Sequence, residues 1–576
     1  MLPQKNTTGE EWPSSRGRSW PHAQKYCHAT VTSRSIGASA GAAAGADSPP
    51  VLTPMIPPPA TSHYRWRILA LLFAATTINY MDRSVLGVLG PTLQYKVFHW
   101  SDQDYATINI AFKAAYAVGM LGMGYFIDRL GTRIGYTLSI GLWSVFGMLH
   151  AAVRPAFSLI GFSVARIGLG LGESGNFPAA NKTVAEWFPK KERAFAFGIF
   201  NAGANVGAVL APMVIPLIVW PDGTNWQFAF LTTGVFSAIW VVFWLKIYRR
   251  PEVHPRLSAQ ERTYINSDST AETIEMLPYR RVLPLRETWA FAVLKITDAA
   301  WWFYLFWAGK FLYDQFGLSI ANLALPLVVI YVVADVGSVT GGWMSTSFIR
   351  RGWPINRARK VTMLFFACCI LPVMFTTQMG TRFNVDEAFF ARLQTTTFTA
   401  EHDTVVEGRR HRQRVEETVP AGMATALRAL AGRSYPSARE FLKAVGGVIT
   451  PAQASRMEGA LFKSARSDNY YWLAVLLIAI AAGSHQAWSC NVFTVVSDVF
   501  PKKATASITG IGGMVGAVAG MVADRTMGTL LTDSGPSGYF FAFLGAGLVY
   551  PLTLGVAHLL MPRMTPLDEN LRHVTT

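Results

Sequence analysis

Charge is what this sequence has least of for its size. Only 15% of its 576 residues are Asp, Glu, Lys or Arg, against 51% hydrophobic, so no single soluble core could hide the apolar surface. Cysteine is scarce as well. Cys27, Cys368, Cys369 and Cys490 are the full complement, without the spacing of a disulfide framework or a metal site. No G-x-x-x-x-G-K-[ST] loop occurs, which argues against nucleotide-driven work. No nucleophile stands with an obvious base, so the chain does not read as an enzyme, and no cofactor is expected. The alternation of a membrane barrel is missing too, and backbone groups in hydrocarbon must then be satisfied inside helices.

What the sequence does have is long apolar runs. A bilayer core of roughly 30 Å takes about 20 apolar residues per helix. Twelve such runs occur, at about 66–90, 105–127, 134–153, 157–182, 193–219, 226–248, 289–316, 322–348, 360–378, 470–498, 504–531 and 538–561. The predicted fold is therefore an all-α membrane protein of twelve helices in two six-helix halves. The net charge of +16 could suggest a nucleic-acid partner, but its placement argues against one. Basic residues gather in every second short loop: Arg129 and Arg133; Lys190, Lys191 and Arg193; Arg249 and Arg250; Arg350, Arg351, Arg357, Arg359 and Lys360; Lys502 and Lys503. The intervening loops 221–225 and 532–538 carry almost none. That asymmetry places both termini in the cytoplasm.

The expected organisation is a disordered cytoplasmic tail over 1–64, a first half over 65–248, a central cytoplasmic loop over 249–288, a second half over 289–379 and 469–562, and a short tail over 563–576. The tail has no apolar core of signal-peptide type, and Met55 offers an alternative start. A weak internal echo supports two parallel repeats: GYFIDRLGTRIGY joins helices 2 and 3, and GGWMSTSFIRRGWPINRARK joins helices 8 and 9. Residues 380–468 interrupt the second half between helices 9 and 10, on the non-cytoplasmic side. Their polar, helix-like pieces suggest a small folded cap, read as a passive elaboration because loop tips tolerate insertion.

Charges inside membrane helices are expensive and mark function or pairing. In helix 1, INYMDRSVLGVL sets Asn79, Asp82 and Arg83 on one face. In helix 4, ARIGLGLGESGNFPAANK sets Arg166 and Glu173 seven residues apart, close to alignment two turns along. A guanidinium binds a carboxylate bidentately and keeps its charge, which suits a fixed anion receptor. A carboxylate taken out of water beside an arginine is balanced between opposing influences and can carry a proton. The structural alternative is that Asp82 with Arg83, and Arg166 with Glu173, are pairs that hold the bundle together.

Further candidates for contact with a solute are Tyr116, Asn201 and Asn205 in the first half. The second half offers Lys310 beside the aromatic run WWFYLFWAGKFLYDQ, and the group His485, Gln486, Trp488 and Asn491 in GSHQAWSCNVFTVVSD. Hydroxyl-reading polar groups next to stacking aromatics are what a sugar-like ligand requires. Glycines crowd helices 4, 5 and 11, as close helix packing needs.

The form G-x-x-x-D-R-x-G-x-R, carried by Gly124, Asp128, Arg129, Gly131 and Arg133, resembles the loop signature of the major facilitator superfamily. Those residues read as a conformational latch. NYMDR, the run from Arg166 through Glu173 to Phe177 and Pro178, AEWFPKKERA and SDVFPKKATAS resemble the anion:cation symporter family of that superfamily, and most of all bacterial hexuronate transporters, over nearly all of 64–562. The resemblance implies that Arg83 and Arg166 meet the substrate carboxylate and that Asp82 and Glu173 couple protons. The implied activity is proton-coupled symport of a sugar acid by one chain in a bacterial inner membrane. A solute sensor derived from a transporter, and a carrier of another organic anion, are the alternatives. Two departures stand out: relatives commonly read W-L-P-K where this chain has Trp307-Ala308-Gly309-Lys310, and the insertion has no counterpart.

Overall fold

The computed structural model describes residues 63–220, 223–267, 277–379, 381–406, 409–466 and 470–573. Of the expected tail, His63 and Tyr64 alone are described, the second as the first residue of a helix. The first half comprises α1 (Tyr64–Thr92), α2 (Asp102–Leu130), α3 (Thr132–Leu149), α4 (Ser158–Glu173) with α5 (Asn176–Trp187), α6 (Lys190–Ile218) and α7 (Gln227–Ile247). Short helices α8 (Ala259–Ile265) and α9 (Tyr279–Val282) lie in the connection. The second half comprises α10 (Arg286–Lys295) with α11 (Asp298–Phe316), α12 (Ile320–Arg350), α13 (Ile355–Ile370) continued by a 3-10 stretch (Leu371–Gln378), and, after the insertion, α19 (Tyr471–Val499), α20 (Lys502–Ser534) and α21 (Gly538–Leu560). Among the described residues, nine stretches are long and apolar enough to cross a membrane, one of which contains both α20 and α21. Leu217, Val339, Leu552 and Leu559 stand outward and exposed, as lipid-facing positions should.

Local chemistry fixes where these helices start and break. Ser101 caps α2 by accepting from the Asp104 N–H while the Asp104 carboxylate accepts from the Ser101 N–H, and the acids of that first turn suit the positive end of the helix dipole. The fourth apolar run, expected as one helix, is divided at Ser174 and Gly175. Pro178 has no N–H to give the Ser174 carbonyl, so the ladder of α4 cannot run on, and Glu173 becomes its last residue. The seventh run is broken at Ile296 and Thr297, where the Thr297 hydroxyl donates to the Leu294 carbonyl. Through Ala308 and Gly309 the helix stays continuous.

The halves meet along α2 against α20, α6 against α12, and α1 against α11. At the last crossing a Cβ on Gly87 would lie 2.5 Å from the Leu305 carbonyl oxygen, and one on Gly309 would lie 2.8 Å from the Gly87 carbonyl oxygen. Only glycine permits that approach. Past Met120, α2 runs clear, with no atom within 4 Å of a Cβ placed on Gly122 or Gly124.

The insertion has a core of its own. It comprises β1 (Phe383–Asn384), α14 (Glu387–Thr395), β2 (Thr397–Val406), β3 (Arg409–Thr418), α15 (Ala421–Leu427), β4 (Ser434–Tyr435), α16 (Ala438–Gly446), α17 (Pro451–Arg456) and α18 (Glu458–Ala465). Two antiparallel pairs form, β1 with β4 and β2 with β3, and Phe383, Phe389, Phe441 and Phe462 bury together. It does not hang free. Arg439 of α16 donates to Asp102 of α2 at 2.9 Å, and Glu458 of α18 pairs with Lys96 at 2.6 Å. Arg466 donates to the Phe316 carbonyl at 2.6 Å, and Gln315 to the Pro436 carbonyl at 3.2 Å. The insertion is bound to both halves.

Candidate functional site

Helix α1 carries Asp82 and Arg83 into the middle of the bundle, and α4 brings Arg166 and, at its broken end, Glu173. All four are at most 4% exposed. Arg83 donates from Nε at 2.9 Å and from Nη2 at 2.8 Å to Oε2 of Glu173, leaving Oε1 of that acid unpartnered. Asp82 accepts from the Ser237 hydroxyl of α7 at 3.0 Å through Oδ2, and its Oδ1 is unpartnered. Arg166 is wholly buried, yet Nε, Nη1 and Nη2 all lack a hydrogen-bond partner. The pairings offered by sequence are thus replaced by a crossed one. Neighbours such as Asp82 and Arg83 do not face each other on a helix, and seven residues put Arg166 roughly 10 Å along the axis from Glu173, so Glu173 closes on the arginine of the opposite helix.

The surrounding wall is aromatic. The Arg83 guanidinium sits 4.8 Å from the Tyr80 ring centre, 4.9 Å from Tyr116, 5.3 Å from Trp302 and 5.4 Å from Phe112. Arg166 lies 5.4 Å from Phe112 and 6.0 Å from Phe306. Trp302 and Phe306 belong to α11, so the arginines of the first half are roofed by rings of the second. Rings facing cations hold them without neutralising them. Asn79 also is buried here with both amide atoms unpartnered.

A second buried pair stands on the same wall. Lys113 of α2 meets Asp524 of α20 at 2.6 Å, both at 1% exposure, and Trp307 donates to the other oxygen of Asp524 at 2.9 Å. Neither Lys113 nor Asp524 is among the candidates drawn from sequence, although NIAFKAAYAVG and GMVADRTMG each carry a charge in an apolar run. Asp335, half-buried in α12, is a third charge of that sort.

The remaining candidates lie elsewhere or serve packing. Lys310 stands one turn beyond Phe306, where it pairs with Asp314 at 2.6 Å and Asp102 at 3.0 Å and touches the Tyr95 hydroxyl. Tyr95 and Tyr539 also donate to Asp314, at 2.6 and 2.8 Å, and Arg439 joins this cluster from the insertion. His485 bonds the Tyr550 hydroxyl at 2.7 Å and stacks on Trp301. Trp488 is buried edge-on to Tyr550, and Asn491 donates to the Gly341 and Ala487 carbonyls, tying α19 to α12. Gln486 is half-buried. Asn201 is exposed and Asn205 half-buried on the face of α6 opposite Gly203 and Gly207, which pack on α1. In the loop signature, Asp128 pairs with Lys182 at 2.7 Å, Arg133 donates to the Leu245 carbonyl, Arg129 meets the Tyr125 hydroxyl, and Gly131 takes φ +80°. These contacts all stay within the first half.

Two helical halves closing on a charged, aromatic-walled centre are the architecture of an alternating-access carrier. The profile of the Major Facilitator Superfamily matches residues 72–390, more than half of the sequence. The chain belongs to that superfamily. It is a multi-pass membrane transporter and not an enzyme. It is 34% identical over 290 residues to the galacturonate transporter of Dickeya chrysanthemi, covering 49% of this chain and 82% of that one. It is likewise 34% identical over 292 residues to the hexuronate transporter of Escherichia coli strain K12, covering 50% of this chain and 66% of the other. A bacterial homologue of the human lysosomal transporter Spinster superposes with a TM-score of 0.57 over 87% of this chain and 98% of its own, at 15% identity, a likeness of fold alone.

Proposed function

We propose that this superfamily member carries a sugar acid of the hexuronate kind together with protons, as a single chain in a bacterial inner membrane with both termini cytoplasmic. The observation that carries the reading is Arg166, a buried guanidinium with every donor open. An isolated desolvated cation is costly, and a solute carboxylate reaching it would complete it bidentately. The names of the relatives point to the same class of solute. Coupling then follows from the crossed pair. While Glu173 is ionised it occupies Arg83; a proton on Glu173 releases that hold, and Arg83 joins Arg166 in gripping the incoming anion. Asp82, with one oxygen open beside Ser237, is the second acid available for a proton.

The test is uptake of labelled glucuronate and galacturonate into proteoliposomes under an imposed pH gradient, beside counterflow without one. Wild type should accumulate solute only with the gradient. Glu173→Gln should lose gradient-driven accumulation yet retain counterflow, because exchange needs no net proton movement. Undiminished accumulation in Glu173→Gln, Asp82→Asn and the double variant would end the coupling assignment. Binding without accumulation in wild type would make the chain a sensor.

A further inference from the structure

Three cations share the aromatic wall of the central site, and Lys113, like Arg83, already has an acid against it. Lys113 lies 5.5 Å from the centre of the Trp302 ring that also faces Arg83, and 5.2 Å from the Phe306 ring that also faces Arg166. Sharing those rings keeps Lys113 within about 11 Å of either guanidinium, inside the reach of one six-carbon acid held at its other end. Unlike Arg166, Lys113 has its charge matched, with two acceptors on its three donors. Asp524 takes its ammonium at 2.6 Å, the Gly520 carbonyl accepts from it at 3.3 Å, and Trp307 fixes Asp524 in place through the indole N–H. Lys113 belongs to α2 and Asp524 to α20, so the pair spans the two halves at the depth where the solute must lie.

We infer that the Lys113–Asp524 pair sets the charge accepted at the far end of the solute, admitting an acid with one carboxylate and a neutral, hydroxyl-bearing far end, and turning away a dicarboxylate of the same length. This rests on the sugar-acid reading above. The physics is a matter of sign. A lysine alone at that position would attract a second carboxylate, whereas the neutral pair offers no net charge, and its aspartate repels an arriving anion. A terminal hydroxyl or a ring oxygen can still exchange hydrogen bonds with the ammonium and carboxylate without separating them. Selectivity is then built by an occupied cation, and one substitution should unmask it.

The experiment compares competition by glucarate, a six-carbon dicarboxylate, with competition by unlabelled glucuronate against labelled glucuronate uptake. In wild type, glucarate should be the weaker competitor. Asp524→Asn frees the ammonium and should improve glucarate relative to glucuronate by about tenfold or more, the size of one charge-assisted contact. Asp524→Ala serves should the amide variant fail to fold, and Lys113→Gln with Asp524→Asn restores a neutral pair and should return the ratio to the wild-type value. An unchanged ratio in transporting Asp524→Asn or Asp524→Ala overturns the proposal and leaves the pair a clasp between α2 and α20. Wild-type protein that neither binds nor moves either acid overturns the sugar-acid reading itself, a failure distinguishable from the first because it precedes any variant.

Discussion

Arg83 and Arg166 carry the same charge at nearly the same burial, yet their loss should be felt differently. Arg83 holds Glu173, so Arg83→Ala strands a buried carboxylate and should cost about 3–5 kcal/mol of stability in addition to transport. Arg166 makes no hydrogen bond. Arg166→Ala should leave the melting temperature unchanged or raise it, while hexuronate affinity falls roughly ten- to a hundredfold. Thermal melts and ligand-induced shifts on the two purified variants separate the cases, and equal destabilisation by both would contradict the geometry. Functional residues commonly pay for their poise in stability, and Arg166 is positioned as such a residue. At this scale the sequence was informative about which charges matter, because a charge in an apolar run is conspicuous. It was silent on pairing. Whether Glu173 meets Arg166 or Arg83 depends on how α1 and α4 cross, which no spacing within either helix encodes.

Among the elements, α1 and α11 bring the halves together through Gly87 and Gly309. Gly87→Ala would drive a methyl group toward the Leu305 carbonyl and wedge the crossing apart. The expected result is faster maleimide labelling of a cysteine placed at the buried position Leu312, in a background stripped of native cysteines. Labelling no faster than in the parent would mean that the crossing yields elsewhere. The runs that become these helices were legible, since lipid demands length and apolarity of each. Their breaks were less so. Pro178 announces the interruption before it, whereas nothing at Ile296 and Thr297 does, because a threonine hydroxyl bonding the carbonyl three residues back is equally at home inside an unbroken helix. The change from Pro to Gly309 removes a helix breaker and lets α11 approach α1 closely. The strands of the insertion were not foreseen, its helices being the plainer signal in PSAREFLKAVGG and PAQASRMEGALF.

For the molecule as a whole, the insertion is the main departure from a plain two-half carrier. Sequence alone makes its removal harmless; the structure gives a different expectation. Without residues 381–466, Lys96 loses Glu458, and Asp102 and Asp314 keep Lys310 but lose Arg439. Buried acids left with less positive charge should repel and loosen that end. Arg439→Ala is the gentler test. It should speed labelling at Leu312→Cys and lower the melting temperature, with the insertion still folded on its own core. Deletion of 381–466 should do both more strongly and reduce uptake. Full uptake after deletion would return the insertion to a passive elaboration.

The pairing of Arg439 with Asp102 has a consequence in time. The two residues are 337 positions apart, and synthesis proceeds from the N-terminus, so Asp102 is made long before its cation exists. Lys310 arrives earlier, and Glu458 closes on Lys96 later still. The first half must therefore assemble around an aspartate that waits for its partners, and this end of the transporter is completed among the last steps of biogenesis. Chains stalled before residue 439 should expose the first half with its seal unmade, which is when quality-control proteases would find it most easily.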